Sequence, residues 1–307
     1  MAFTMHSHSG QFCPSHAVDQ LEDIIKHAIS LGYRTIGLSE HMPRYEAIDL
    51  YPDELDDPQA SITALAARHD LYLLEAQRLQ TLYAPRIHIL IGFEAEFIRP
   101  SFAPLVRALA APACVDYFVG SVHHVHGIPI DYDSALYAAA VAAAGGSEER
   151  LFEAYYDLQL EMLAALRPRI VGHFDLVRLL SEAPARDVRE WEGVWARVRR
   201  NLAACRDMGA WLECNSSALR KGLAEPYPCA VIAEEWIRQG GRFTMGDDSH
   251  GIAQVATNYA RALDFLEALG VEQVWTLRRE GGSPDSKAVL EDVPVAITEF
   301  RQSLLLK

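Results

Sequence analysis

At 307 residues, half of them apolar, the chain holds enough core material for one large α/β domain and does not require two. A formal charge of −14 argues against a nucleic-acid partner, because duplex binding displays a basic face; an anionic small substrate stays open wherever cations reverse the local field. No run approaches the roughly 18 consecutive apolar residues of a membrane span, and the start lacks the basic flank and apolar core of a signal peptide, so a cytoplasmic protein without membrane contact is expected. The five cysteines, odd in number and never arranged as CxxC, fit neither a disulfide framework nor a cysteine zinc site.

Short β-rich runs recur, each followed by a longer helical pattern, as in a parallel α/β protein. AFTM comes first, and AVDQLEDIIKHAISLG follows it, with Val18, Leu21, Ile25 and Ala28 on one helical face and Gly32 as the stop. YRTIGL is the second strand; behind it YPDELDDPQAS reads as an acidic, proline-punctuated loop, and LYLLEAQRLQTLYA as a helix. RIHILIGF and DYFVGSV are the third and fourth strands. SALYAAAVAAAGGSEER is alanine-rich and broken at Gly-Gly, with Ser147 opening a new helix that continues through LFEAYYDLQLEMLAALR. The stretch near 134–166 is therefore expected to be a helical insertion within one domain spanning 1–307. RIVGH, AWLEC and RFTMG supply three more strands, VWARVRRNLAACRDMG a helix between the first two of these, and VEQVWTL a weaker eighth strand.

The polar residues fall at the ends of these strands. His6 and His8 close the first, Ser39, Glu40 and His41 the second, Glu94 and Glu96 the third, His123 and His124 the fourth. His173 and Asp175 end the fifth, Asn215 the sixth, and Asp247, Asp248 and His250 the seventh. In a barrel of parallel strands all these ends meet on the face that carries the active site. On an extended chain residues i and i+2 point the same way, so HxH delivers both imidazoles to one ion. Imidazole nitrogen with carboxylate oxygen suits zinc, iron or manganese, and the supply of donors exceeds the roughly four that one ion needs, which implies two or three divalent ions. His27, His69 and His88, in helical or mid-strand contexts, read as ordinary core or surface histidines. Arg44, Arg178, Arg220 and Lys221 follow strand ends and are candidates for gripping phosphate, as arginine does bidentately. His124 and Asn215 are further substrate-contact candidates, Asn215 alternatively ordering a turn.

MHSHSGQFCPSH, GLSEHMPR, IGFEAEF, VGSVHHVHGIPID, IVGHFDL, LECNSSALRKG and GDDSH, in that order, resemble the polymerase-and-histidinol-phosphatase (PHP) family, and within it the monofunctional histidinol-phosphate phosphatases. The resemblance implies a distorted (β/α)7 TIM-like barrel with a trinuclear metal centre. Carried onto this chain, His6, His8, Glu94 and Asp248 surround one ion, Glu94 bridges to a second held by His123 and His173, and His16, His41 and His250 hold the third. Glu96, His124 and Asp247 are the alternatives to Glu94, His123 and Asp248. The implied activity is hydrolysis of L-histidinol phosphate to L-histidinol and phosphate, in histidine biosynthesis. A metal-activated hydroxide would be the nucleophile, and Asp248, His250 or Glu96 would protonate the leaving alkoxide. The alternative within the family is action on another small phosphate ester or nucleotide. An amidohydrolase also opens with HxH, but that superfamily carries a bridging lysine and ends on a lone aspartate, where this chain has a glutamate pair and DDSH.

Overall fold

The computed structural model describes residues 1–282 and 286–304. The chain runs β1 (Ala2–Thr4), α1 (Leu21–Ser30), β2 (Tyr33–Leu38), α2 (Pro58–Tyr83), β3 (His88–Ile91), β4 (Glu94–Glu96), α3 (Phe102–Ala110) and β5 (Val119–Ser121). A hairpin, β6 (His124–Val125) and β7 (Ile128–Pro129), precedes α4 (Ser134–Ala143), α5 (Glu148–Leu166), β8 (Ile170–Val171), α6 (Glu192–Met208) and β9 (Trp211–Asn215). Then come α7 (Ser217–Arg220), α8 (Ala230–Arg238), β10 (Phe243–Gly246), α9 (Tyr259–Ala268), β11 (Gln273–Glu280), β12 (Val289–Ala296) and α10 (Ile297–Ser303).

Seven of the expected strands build two parallel sheets, in the orders β1-β2-β3 and β10-β9-β8-β5-β4. Helices cover their outer faces, and such strands are buried on both sides, which is why they read as apolar runs without alternation; all five residues of β9 and all four of β10 are buried. The sheets also touch at their edges. RIHILIGF divides into β3 and β4 at Gly92-Phe93, and backbone bonds from Gly92 N to Leu38 O (2.9 Å) and Glu94 N to Glu40 O (3.0 Å) carry pairing across the break. At the far side Met5 N donates to Met245 O (2.9 Å) and His8 N to Ser249 O (2.8 Å). The core between sheets and helices is aromatic-rich, with Phe3, Tyr33, Tyr72, Phe93, Trp211 and Trp236 fully buried.

Several local expectations need correction. VEQVWTL does form a strand, but β11 pairs antiparallel with β12 in a separate two-stranded ribbon. Val18 is 61% exposed and precedes α1, whose buried face is Leu21, Ile24, Ile25 and Ala28. The stretch before α1 stays a loop because its backbone is used elsewhere: Gly10 N donates to Val18 O and Val18 N to His250 O. YPDELDDPQAS is not all loop. Pro58 starts α2, with the Asp57 side chain accepting from Ala60 N as its N-cap. Gly32 does stop α1, at φ +87°, and Ser147 caps α5 through Arg150 N. No helix among the described residues is long and apolar enough to cross a membrane.

Candidate metal centre

His6 and His8 continue the chain past Thr4, the last residue of β1, and the alternation of an extended chain sends both rings inward while Ser7 turns away to donate to Gly37 O (3.1 Å). Both rings are buried and their centroids lie 5.1 Å apart. They meet Glu94, the first residue of β4, whose carboxylate is the hub of the cluster. Its Oε1 lies 2.9 Å from His173 Nε2 and 3.3 Å from His123 Nε2. Its Oε2 lies 3.0 Å from His41 Nδ1, 3.4 Å from His6 Nε2 and 3.6 Å from His8 Nε2. Asp248 stands across from it, with Oδ1 3.3 Å from His8 Nε2, 3.8 Å from His6 Nε2 and 3.6 Å from His250 Nδ1. His16 reaches in from the loop before α1, its Nε2 3.2 Å from that of His41.

This assembly offers four donor groups tight enough for an ion: His6, His8 and Asp248; His6, Glu94 and His173; His8, His41 and His250; and Cys13, His16 and His41. Their nitrogen and oxygen donors are those of zinc, iron and manganese. The residues fit such ions on a second count. Nε2 of His6, both ring nitrogens of His8 and Nδ1 of His41 are buried without a well-formed hydrogen bond, and buried polar atoms are seldom left so. The electrostatics of the cluster are mixed. Burial works against ionising Glu94, but His6, His123 and His173 outweigh it and hold its carboxyl well below the usual range. Burial, with His41 and His250 alongside, pushes the His8 imidazole well below its ordinary value. For His123 burial is overcome by Glu94, which lifts it to about 9.

The alternatives Glu96, His124 and Asp247 each have partners of their own. Glu96 accepts from Arg44 Nη1 at 2.8 Å and lies 3.3 Å from His41 Nδ1. His124 opens the β6–β7 hairpin and turns to Tyr51, 5.2 Å between ring centroids. Asp247 accepts from Thr4 Oγ1, Tyr33 Oη and Ala256 N, tying the end of β10 to its neighbours. Of the basic residues, Arg220 and Lys221 line a cavity of about 540 Å³ over the cluster, together with His16, His41, Glu94, His123, Asp248 and His250. Arg178 is buried and spends its guanidinium on Asp175 Oδ2, Glu225 O and Pro226 O. Arg44 is buried between Glu96 and Glu54. Asn215 accepts from Ser217 N and donates to Glu213.

Two residues of the site escape a reading of the sequence. Cys13 joins the His16 and His41 nitrogens, its Sγ 3.3 Å from His16 Nε2, although no cysteine pair announces it. Glu213 sits in the middle of a strand buried on both faces, fully enclosed and 2.9 Å from His6 Nδ1. An acid in such a strand must be paired, and that was the available signal. Gly246 makes its room: a Cβ there would overlap Glu213 Oε1. Gly246→Ala is expected to destabilise the fold by about 2 kcal/mol or more through this overpacking, read from urea unfolding.

A parallel α/β fold that collects histidines and carboxylates at its strand ends, over one cavity, is a metal-binding hydrolase scaffold. Residues 4–217 match the PHP domain, and the chain belongs to that family. It is 39% identical over 297 residues to the "Probable histidinol-phosphatase" of Schizosaccharomyces pombe, covering 96% of this chain and 95% of the relative. It is 31% identical over 322 residues to the "Histidinol-phosphatase" of Saccharomyces cerevisiae, covering 95% and 96%. The solved histidinol phosphate phosphatase of Lactococcus lactis, described as complexed with zinc, L-histidinol and phosphate, shares the fold at a TM-score of 0.65 and 19% identity, over 94% of this chain and 98% of that one.

Proposed function

We propose that this chain is a metal-dependent phosphomonoesterase that hydrolyses L-histidinol phosphate to L-histidinol and inorganic phosphate, a step of histidine biosynthesis. The observation that carries the reading is the Glu94 carboxylate, within 3.6 Å of five imidazoles from four separate parts of the chain. Relatives that cover nearly the whole chain and bear the phosphatase name add support. We take the chain as one domain whose two sheets form a single distorted seven-stranded barrel, the edge bonds at Gly92, Glu94, Met5 and His8 favouring closure. The helices over 134–143 and 148–166 are its insertion.

In this reading His6, His8, Glu94 and Asp248 hold one divalent ion, Glu94, His123 and His173 a second, and His16, His41 and His250 a third. Bound there, such ions acidify water and offset charge on a phosphoryl group. The residues around them bind and orient the substrate. Arg220 and Lys221 bring positive charge to the cavity beside Asp248, where a phosphate dianion needs it. Water oxygen bonds to phosphorus, the ester P–O bond breaks, and a proton passes to the departing alkoxide. Asp248 and His250 line the cavity and can carry that proton; Glu96 cannot readily, since its carboxylate is held by Arg44.

The same cavity has an acidic, aromatic part formed by Tyr51, Asp53, Asp131 and Tyr132, with Tyr51 and Tyr132 stacked at 5.9 Å and Asp131 Oδ1 buried without a partner. Histidinol phosphate pairs a phosphate with an ammonium and an imidazole, and so matches both parts. A phosphate ester without a cation would leave the acids unpaired, which disfavours the second reading, another small phosphate ester or nucleotide. A panel of phosphorylated compounds tests the choice. Histidinol phosphate should exceed the others at least about tenfold in kcat/KM, and Asp131→Asn should raise KM for it about tenfold while leaving p-nitrophenyl phosphate unaffected. A flat panel would reject the substrate assignment and leave the phosphoesterase.

A further inference from the structure

Glu213 belongs to none of the ligand groups above, yet it touches two of them from beneath. Its Oε1 lies 2.9 Å from Nδ1 of His6, and its Oε2 accepts from the backbone N–H of His173 at 3.0 Å and from Asn215 Nδ2 at 3.0 Å. One carboxylate thereby ties the extension of β1, the second residue after β8 and β9 itself.

Both contacts have chemical consequences. A neutral imidazole binds a metal through one nitrogen while the other carries a proton, and an acceptor facing one nitrogen decides which. With a carboxylate on Nδ1, the His6 lone pair sits on Nε2, the atom that faces Glu94 at 3.4 Å and Asp248 at 3.8 Å. The second contact holds backbone. His173 has φ +21°, a conformation that side-chain-bearing residues rarely adopt and that persists only when its surroundings enforce it. The N–H that Glu213 accepts belongs to this residue, and it fixes the turn from which His173 Nε2 reaches Glu94 at 2.9 Å.

We propose that Glu213 is the positioning residue that couples the two inner ion sites, setting the tautomer of His6 and the backbone of His173 with a single carboxylate. This rests on the reading of His6 and His173 as metal ligands. Glutamine at 213 has the same shape but one acceptor oxygen, so it can serve His6 or His173 and must turn its amide donors toward the other.

Zinc(II) is the probe. Full-length wild-type protein and Glu213→Gln are stripped, shown to be folded by circular dichroism, and titrated against a chromophoric zinc chelator; zinc content is read by elemental analysis. The variant is expected to bind zinc about 10–100-fold more weakly. Wild-type affinity in a folded Glu213→Gln would overturn the proposal and leave the metal site standing. A wild type that takes up no zinc would overturn both. Nitrogen-15 spectra of zinc-loaded wild type decide independently of whether the variant folds: His6 should carry its proton on Nδ1 and zinc on Nε2, and the reverse assignment would overturn the coupling.

Discussion

Replacing Glu94 by alanine is expected to cut phosphate release by about 10³-fold or more and to deprive the purified protein of most of its metal. The carboxylate is the one group common to the inner rings: Oε1 serves His123 and His173, Oε2 serves His6, His8 and His41. Without it those imidazoles lose the anion that keeps them together. Glu94 is almost fully enclosed, and removing one member of a buried charged pair commonly costs about 3–5 kcal/mol, so a folding defect must be kept apart from a chemical one. Glu94→Gln preserves shape and separates the two: it should fold and still lack metal and turnover. His8→Ala makes the same test from the other side, since neither of its buried ring nitrogens makes a well-formed hydrogen bond and the Glu94 hub stays in place. Normal turnover by folded His8→Ala of verified metal content would refute the assignment of the site.

Most of this centre is legible in the chain because its donors obey a simple geometric rule. Parallel strands bring their C-terminal ends to one face, so His6, Glu94, His123, His173 and Asp248 can be collected from the strand pattern before any contact is known. Choosing between neighbours is a different matter. His123 and His124 are adjacent in sequence, and which one enters the site depends on the hairpin at 124–129, whose turn begins only after the strand has ended. Asp247 and Asp248 are divided by the positive φ of Asp248, +48°, which turns that side chain toward His8 and leaves Asp247 under Tyr33. Arg178 shows the opposite failure. It follows a strand end as a phosphate-binding arginine would, but a guanidinium has five donors, and the nearest acceptors are Asp175, three residues back, and the carbonyls of Glu225 and Pro226, which only tertiary folding brings close. Glu213 and Cys13 are hidden for other reasons: the histidines that Glu213 meets lie on other strands, and Cys13, though three residues before His16, has no second cysteine to make it stand out.

Stripping the metal should abolish activity, lower the melting temperature and make the loss depend on pH in a definite sense. Dialysis against a strong chelator is expected to remove all phosphate release, and return of a single kind of divalent ion, at up to three equivalents per chain, to restore it. Each ion bound only to the folded chain contributes RT ln(1 + [M]/Kd), about 4 kcal/mol at a thousandfold excess over Kd, so the melting temperature should fall by roughly 8 °C or more. In the metal-free protein burial disfavours the cationic forms of His6, His41 and His123, but the surrounding carboxylates overcome it and raise all three, His123 to about 9. These rings hold protons at pH 7 that an incoming cation must displace. His16 and His250, pushed down by burial to about 4 and about 3, hold none there. Uptake by these sites therefore releases protons, and affinity rises with pH as the raised imidazoles lose theirs, His123 about half neutral near 9, while at falling pH protons win the contest. Calorimetric titration of the stripped protein at pH 7 in two buffers of different ionisation enthalpy measures that release directly. Zinc, manganese or iron uptake with no proton release would mean that the ions bypass His6, His41 and His123, and with them the Glu94 hub on which the proposed chemistry depends.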